Sequence, residues 1–329
     1  MTTGLSNDIP EISVVIPVYN EASHLASSLN VIVEHVKALK RPYELVLTDD
    51  GSTDETWSII ARKSREIPTL KGIRLSRNFG KEAAIRAGLS RANGKAVIVM
   101  DSDLQHPPSL IPEMVKSWTE GCDVVDAVKE NRGREKKAYS VSARILTTLL
   151  NRFSGFDLRG ASDFKLLDRH VVDAFLALPE SLIFYRGMTE WLGFKHYRIP
   201  MQVQERVEGT SQWPFFRLVR LAITALTSFT SLPLHFVTLL GGLLLLVALT
   251  MATIVFIQWT YGVALSGFPT VILLQLLIGG SVMVSLGIIG EYLAQIYYEV
   301  KRRPYFVVAE ELTAQESGLN SIEVGKDEP

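Results

Sequence analysis

The chain has 329 residues, 47% of them hydrophobic, and its 34 Lys and Arg stand against 35 Asp and Glu for a formal net charge of −1. One cysteine, Cys122, excludes an intramolecular disulfide and any Cys-rich metal centre, so the chemistry must rest on oxygen and nitrogen groups. The histidines 24, 35, 106, 170, 196 and 235 are scattered, none at metal-ligand spacing from another, and no nucleic-acid partner is expected.

The opening residues, MTTGLSNDIPEIS, lack a basic n-region and a long apolar h-region, so no cleaved signal peptide is expected. From residue 12 to 128, short apolar runs alternate with segments of helical length: ISVVIPV, YELVLTDD, KGIRLS, AVIVMDSD and DVVDAV. This alternation is the βαβ grammar of a mostly parallel sheet. The runs end in polar clusters: Pro17-Val18-Tyr19-Asn20-Glu21, Asp49-Asp50-Gly51-Ser52, Ser76 to Lys81, and Asp101-Ser102-Asp103-Leu104-Gln105.

Each cluster alone is explained by a turn, a loop or a helix N-cap. Together, four polar strand ends on one edge of a sheet make a ligand crevice. The ligand that fits is a nucleotide diphosphate with a divalent ion. Asp103 offers hard oxygen to Mg²⁺ or Mn²⁺, Asp101 could accept from a ribose hydroxyl or join the ion, and Gln105 could bond a phosphate oxygen or a metal-bound water. No Walker A loop and no GxGxxG follows the first strand, which argues against an NTPase and a dinucleotide oxidoreductase.

Between Lys129 and Arg152, seven basic residues face two acids, and Arg132, Arg134 and Arg144 are candidates for bidentate phosphate contact near an anionic surface. Pro214 to Ser231 has Arg217, Arg220, Thr224, Thr227 and Ser231 at spacings of three and four among apolar residues, the pattern of a helix lying at a membrane surface. From Leu221 to Gly290 no Asp, Glu, Lys or Arg occurs, which leaves room for two spans of about 20 residues each. Arg217 and Arg220 precede the first span and Lys301, Arg302 and Arg303 follow the second, so both termini are expected on the cytoplasmic side. Gly279, Gly280, Gly287 and Gly290 would allow close packing of spans, between copies or of the hairpin against itself. The tail after Val308 carries six acids and one lysine and is expected to be mobile.

SVVIPVYNE, TDDGSTD, LSRNFGKEAAIRAG, VMDSDLQHPP, SDFKLLDR, GMTEWLGF and LGIIGEYLAQIYYEVKRRP, in this order and with the two spans, resemble the polyisoprenyl-phosphate glycosyltransferases of the inverting GT-A type, family 2. The bactoprenol glucosyltransferases and dolichol-phosphate mannose synthase-like enzymes belong to that group. The resemblance covers roughly residues 11–308 and implies an enzyme that moves a sugar, glucose favoured, from a UDP-sugar to undecaprenyl phosphate at the cytoplasmic membrane face.

By the same resemblance, Pro17, Tyr19, Glu21, Asp50 and Asp101 bind the nucleotide. Asp101, Asp103 and Gln105 hold Mg²⁺ or Mn²⁺ at the diphosphate, and Asp103 and Asp163 are the catalytic carboxylates. Apart from the resemblance, the basic cluster offers Arg132, Arg134 and Arg144 to the acceptor phosphate, and Arg206 is a candidate to make up for the lysine that Gln212 replaces. A phosphate monoester is largely ionised at neutral pH, so Asp163 is expected to position a substrate as much as to take a proton.

The implied organisation is α/β: a GT-A catalytic domain over 1–210, an amphipathic interfacial helix over 211–233, a two-helix transmembrane hairpin over 234–300, and a cytoplasmic tail, partly disordered, over 301–329. The implied setting is a multi-pass protein of the inner membrane that associates with itself. Two departures stand out. The family's G-D-F-R is Ser162-Asp163-Phe164-Lys165 here, and Gln212 replaces a lysine in GTSQW. They leave room for two other readings, a UDP-GlcNAc or aminosugar donor and a non-catalytic UDP-sugar-binding scaffold. A processive polysaccharide synthase is disfavoured because Q-x-x-R-W and further spans are missing.

Overall fold

Every residue of β1 (Ile12–Val18) is buried, as expected of a strand covered on both faces. β2 (Tyr43–Asp49), β3 (Leu70–Leu75), β4 (Ala96–Val99) and β5 (Val124–Lys129) follow from the remaining apolar runs. The computed structural model describes residues 10–129, 162–179, 184–201, 232–261, 268–301 and 303–313. Arg132, Arg134, Arg144, Arg206 and Gln212, and the interfacial helix as far as residue 231, lie outside the described residues.

Three further strands complete one eight-stranded sheet: β6 (Lys165–Asp168), β7 (His196–Met201) and β8 (Val308–Leu312), in the order β7-β5-β6-β4-β1-β2-β3-β8. β1 pairs in parallel with β2 and β4, β2 with β3, and β5 with β7. β6 runs antiparallel to β4 and β5, and β8 antiparallel to β3. Six strands therefore point one way, and the first four deliver their carboxyl ends to one edge.

Helices cover the sheet because their apolar residues recur at helical spacing. In α1 (Leu25–Ala38) the buried set is Leu25, Ser28, Leu29, Ile32, Val33 and Val36, one stripe of a 3.6-residue period. α2 (Thr56–Glu66) buries Trp57 and Ile60, and α4 (Ile111–Thr119) buries Ile111, Met114 and Val115. α3 (Lys81–Arg91) packs directly on β1 and β2. A Cβ on Gly88 would overlap the Val15 side chain, so glycine is what permits that approach. α5 (Arg169–Ala177) is N-capped by Asp168, whose carboxylate accepts from the His170 amide at 3.1 Å. α6 (Tyr185–Trp191) follows it.

The mobility expected of the tail after Val308 does not hold for its first residues, which form β8. Its acids are matched by cations and a donor on the neighbouring elements. Glu310 accepts from Arg74 Nη1 and from Trp57 Nε1, both at 3.0 Å, and Glu311 faces Arg91 Nε at 3.2 Å. Just upstream, the Tyr305 hydroxyl donates to the Pro179 carbonyl at 2.6 Å.

The second unit is a helical hairpin, α7 (Leu232–Thr260) and α8 (Phe268–Lys301). Two 25-residue stretches, Leu234–Gln258 and Leu277–Lys301, have mean hydropathies of 2.6 and 1.6 and are long and apolar enough to cross a membrane. At 1.5 Å per residue each measures about 37 Å against a hydrocarbon core of about 30 Å. Hydroxyls within them turn inward: Thr250 donates to the Leu246 carbonyl at 2.8 Å and Thr253 to Leu249 at 2.9 Å. Among the described residues, a Cβ on Gly279, Gly280, Gly287 or Gly290 would meet nothing within 4 Å.

Candidate active site

The site grows from the ends of β1, β2 and β4. At the end of β2, the Asp50 carboxylate accepts from the Phe79 amide at 2.8 Å and the Gly80 amide at 2.9 Å, while its own amide donates to Val18 at 2.9 Å. One residue thus ties the loop after β3 to the end of β1. Burial raises the Asp50 pKa and the two amides oppose that rise. Gly51 follows at φ 67, with the Arg77 backbone 2.5 Å from where a Cβ would stand, so only glycine fits this turn.

Asp49 completes the support. Its carboxylate accepts from the Ser52 amide at 3.0 Å and from the Ser52 hydroxyl, and that hydroxyl in turn accepts from the Asn20 amide at 2.9 Å. Asn20 has φ 54, a left-handed conformation that asparagine tolerates, and it turns the chain between Tyr19 and Glu21. β4 ends at Val99, and beyond it the chain reverses through Asp101, Ser102 and Asp103. Leu104 has φ 56 there, a local strain of the sort that accumulates at ligand sites.

Pro17, Tyr19, Glu21, Asp50, Asp101 and Asp103 line one open pocket with Asn78, Gly80 and Lys81. Six of the residues read from the sequence are therefore brought together. Gln105 does not line it; its amide donates to the Asp103 carboxylate at 3.1 Å. Asp163 joins through Lys81, whose Nζ stands 2.5 Å from Asp101 Oδ1 and 2.6 Å from Asp163 Oδ2.

Asp163 is also gripped by Arg186, with Nε at 2.6 Å from Oδ1 and Nη2 at 2.8 Å from Oδ2. Burial would raise its pKa, but the Arg186 fork and the Lys81 ammonium outweigh burial and hold the carboxyl well below the usual range. Burial likewise pushes the Lys81 ammonium down, and Asp101 and Asp163 more than offset it. The neighbouring Glu82 accepts from the Tyr185 amide at 2.9 Å, and burial pushes its carboxyl up to about 7.

A divalent cation has a fitting donor set here. Burial raises the Glu21 pKa, and Asp103 and Asp101 raise it further against the relief from His24. Three carboxylates that repel one another across an open pocket are hard oxygen donors suited to Mg²⁺ or Mn²⁺. A second group, Asp126, Glu190 and His196, also has ligand atoms within 4.8 Å of one another. Its charge is already met: Lys165 Nζ lies 2.6 Å from Asp126 Oδ1 with both side chains buried, and Arg198 stands 3.3 Å from Glu190.

That pairing explains one departure in the sequence, since Lys165 does not reach the pocket but neutralises Asp126 across the β5–β6 register. Ser162 is structural too, its hydroxyl donating to the Ala127 carbonyl at 2.5 Å. Lys81 closes one of the four polar strand-end clusters read from the sequence, but no role was legible for it there. Glu82 and Arg186 were not legible as site residues, and only the fold brings Arg186 onto Asp163.

A mixed α/β sheet that gathers acids at its carboxyl edge defines a ligand site of the kind open α/β sheets build. Residues 13–175 match glycosyl transferase family 2. The chain is 36% identical to the uncharacterized glycosyltransferase sll0501 of Synechocystis over 302 residues, 91% of this chain and 95% of that one. It is 33% identical to the bactoprenol glucosyl transferase of Shigella phage SfII over 300 residues, 91% and 97% of the two chains. Among solved structures, the glucosyl-3-phosphoglycerate synthase of Mycobacterium tuberculosis, in complex with Mn²⁺, UDP and glucosyl-3-phosphoglycerate, is similar at a TM-score of 0.49 and 22% identity, covering 66% of this chain and 78% of that chain. With these relatives aligned over nearly its whole length, the chain belongs to glycosyl transferase family 2 and is a glycosyltransferase.

Proposed function

We propose that this chain transfers a sugar, glucose favoured, from a UDP-sugar to a polyisoprenyl phosphate, undecaprenyl phosphate in a bacterial membrane, with inversion at the anomeric carbon. The observation that carries the reading is the meeting of Asp101, Asp103, Lys81 and Asp163 at the end of β4, beside a pocket lined by Tyr19, Glu21 and Asp50. The bactoprenol glucosyl transferase name of the phage relative supports the lipid acceptor and the choice of glucose.

In this reading Pro17, Tyr19, Glu21 and Asp50 hold the uridine end, and Asp101 and Asp103, with Gln105 at their flank, hold Mg²⁺ or Mn²⁺. A divalent ion bound there supplies Lewis-acid stabilisation of the charge that develops on the diphosphate. An acceptor phosphate oxygen forms the new bond to the anomeric carbon as the bond to the β-phosphate oxygen breaks and UDP departs with the electron pair. The acceptor is largely ionised at neutral pH, so the step needs little proton removal. Asp163, held deprotonated by Arg186 and Lys81, orients a substrate. Arg132, Arg134, Arg144 and Arg206 receive the acceptor phosphate.

The two long apolar helices suit a lipid substrate. The catalytic domain over 1–210, the interfacial helix over 211–233 and both termini belong to the cytoplasmic side in this reading, by the basic flanks at Arg217, Arg220 and Lys301 to Arg303. The test is transfer of label from a panel of UDP-sugars into organic-extractable lipid by the purified chain with undecaprenyl phosphate and Mg²⁺ or Mn²⁺. Transfer from one donor identifies the sugar. Transfer from none, with UDP bound, rejects the acceptor assignment.

A further inference from the structure

Among the described residues that line the pocket, Lys81 is the one cation, against the four acids Glu21, Asp50, Asp101 and Asp103. A diphosphate entering that pocket meets strong like-charge repulsion unless positive charge is turned toward it. The Lys81 ammonium is already engaged, bridging Asp101 Oδ1 at 2.5 Å and Asp163 Oδ2 at 2.6 Å.

The two partners differ in how much they depend on it. Asp163 keeps a bidentate fork from Arg186 when Lys81 leaves. Among the described residues Asp101 has only His106 besides, with Nδ1 at 3.8 Å, beyond hydrogen-bond distance. The Lys81–Asp101 contact is therefore the one that a stronger cation can take over. Lys81 stands at the first position of α3 on a long flexible stem, and its side chain is 42% exposed, which gives it room to swing.

We propose that Lys81 is a displaceable counter-ion: it occupies Asp101 in the free enzyme, yields that carboxylate to a divalent cation, and then donates to the diphosphate of the sugar nucleotide. The proposal rests on the reading of Asp101 and Asp103 as the metal site. Lys81 and the metal ion compete for Asp101, yet both favour the nucleotide. Removal of Lys81 therefore shifts the two affinities in opposite directions, whereas a merely structural lysine would weaken both.

The experiment uses the full chain in detergent, with Mn²⁺ alone followed through the paramagnetic resonance of the free ion, and UDP binding measured by calorimetry at saturating Mn²⁺. Lys81→Met is expected to bind Mn²⁺ several-fold more tightly without nucleotide and UDP on the order of tenfold more weakly with it, the scale of one lost charge-assisted hydrogen bond. Lys81→Arg, which keeps the charge, restores most of the UDP affinity. Lys81→Gln retains a donor to Asp163 and is read in the same way should the methionine variant not fold. Weakening of both ligands together, or no change in either, overturns the proposal. Failure of the unsubstituted chain to bind Mn²⁺ overturns the metal reading itself and the proposal with it.

Discussion

Arg186 and Asp163 form a two-pronged ion pair, Nε to Oδ1 at 2.6 Å and Nη2 to Oδ2 at 2.8 Å, that fixes a carboxylate beside the pocket in its charged form. A carboxyl held this far down is a poor proton acceptor and a good fixed anion. In the unsubstituted enzyme, Asp163 stays ionised across the whole range in which the protein is handled. Arg186→Met removes two of its three donors and lets the pKa climb back toward the ordinary value of about 4. The acid limb of the transfer rate should then move upward in pH. Rate profiles of the two enzymes check this, and coincident limbs would count against it.

Glu82 carries the opposite shift, and its consequence is for stability. Burial pushes its carboxyl up to about 7 in the folded chain, against the ordinary glutamate value when unfolded. Between those values the folded state binds more protons, so the contribution of Glu82 to stability falls as pH rises through that window. Glu82→Gln removes the loss while keeping an acceptor for the Tyr185 amide. The gain in Tm of the glutamine variant should be small at about pH 5 and larger at about pH 8. A gain independent of pH would show that Glu82 is not protonated in the fold.

Much of this architecture was legible in the sequence, and the rest was hidden for identifiable reasons. β1 to β4 are short runs buried on both faces, so composition alone marks them, and the polar residues just beyond mark the edge where they end. β8 reads as an acidic tail because Glu310 and Glu311 find their partners on Arg74, Trp57 and Arg91, more than 200 residues earlier in the chain. β7, HYRIPM, has no apolar run to signal a strand. The pocket acids were visible because they cluster locally. Lys81 closes one of those clusters, but its pairing with Asp101 and Asp163 was not visible, nor was Arg186, since only the folded chain brings these charges together.

Lys165 and Asp126 offer a separate test of what the departure at Lys165 means. Both side chains are almost wholly buried, at 1% and 3% exposure, so removing Lys165 leaves the Asp126 carboxylate with the His196 ring, Nδ1 2.6 Å from Oδ2, as its remaining partner among the described residues. Lys165→Ala should cost about 1–3 kcal/mol of stability. Replacing both partners with apolar residues of similar volume should recover most of it. Thermal unfolding of the three proteins measures the effect. An alanine variant as stable as its parent would show that the pair is solvated.

Ending the chain before Tyr305 should do more than remove a surface tail. It uncovers the β3 edge and leaves the Trp57 indole without Glu310. The truncated protein is expected to unfold at a lower temperature and to aggregate on heating, while Glu310→Ala alone changes stability by less than about 1 kcal/mol because that ion pair is exposed. Light scattering during thermal unfolding separates the two, and equal behaviour would contradict a structural role for β8.

The most direct test of the account is the transfer rate of Asp103→Asn. With purified chain, undecaprenyl phosphate, Mn²⁺ and the sugar-labelled UDP donor accepted by the parent enzyme, lipid-extractable label is predicted to form at least about 100-fold more slowly, at an unchanged unfolding temperature. A variant that transfers sugar at close to the parental rate, insensitive to chelator, would contradict the assignment of this pocket as the metal-assisted site of glycosyl transfer.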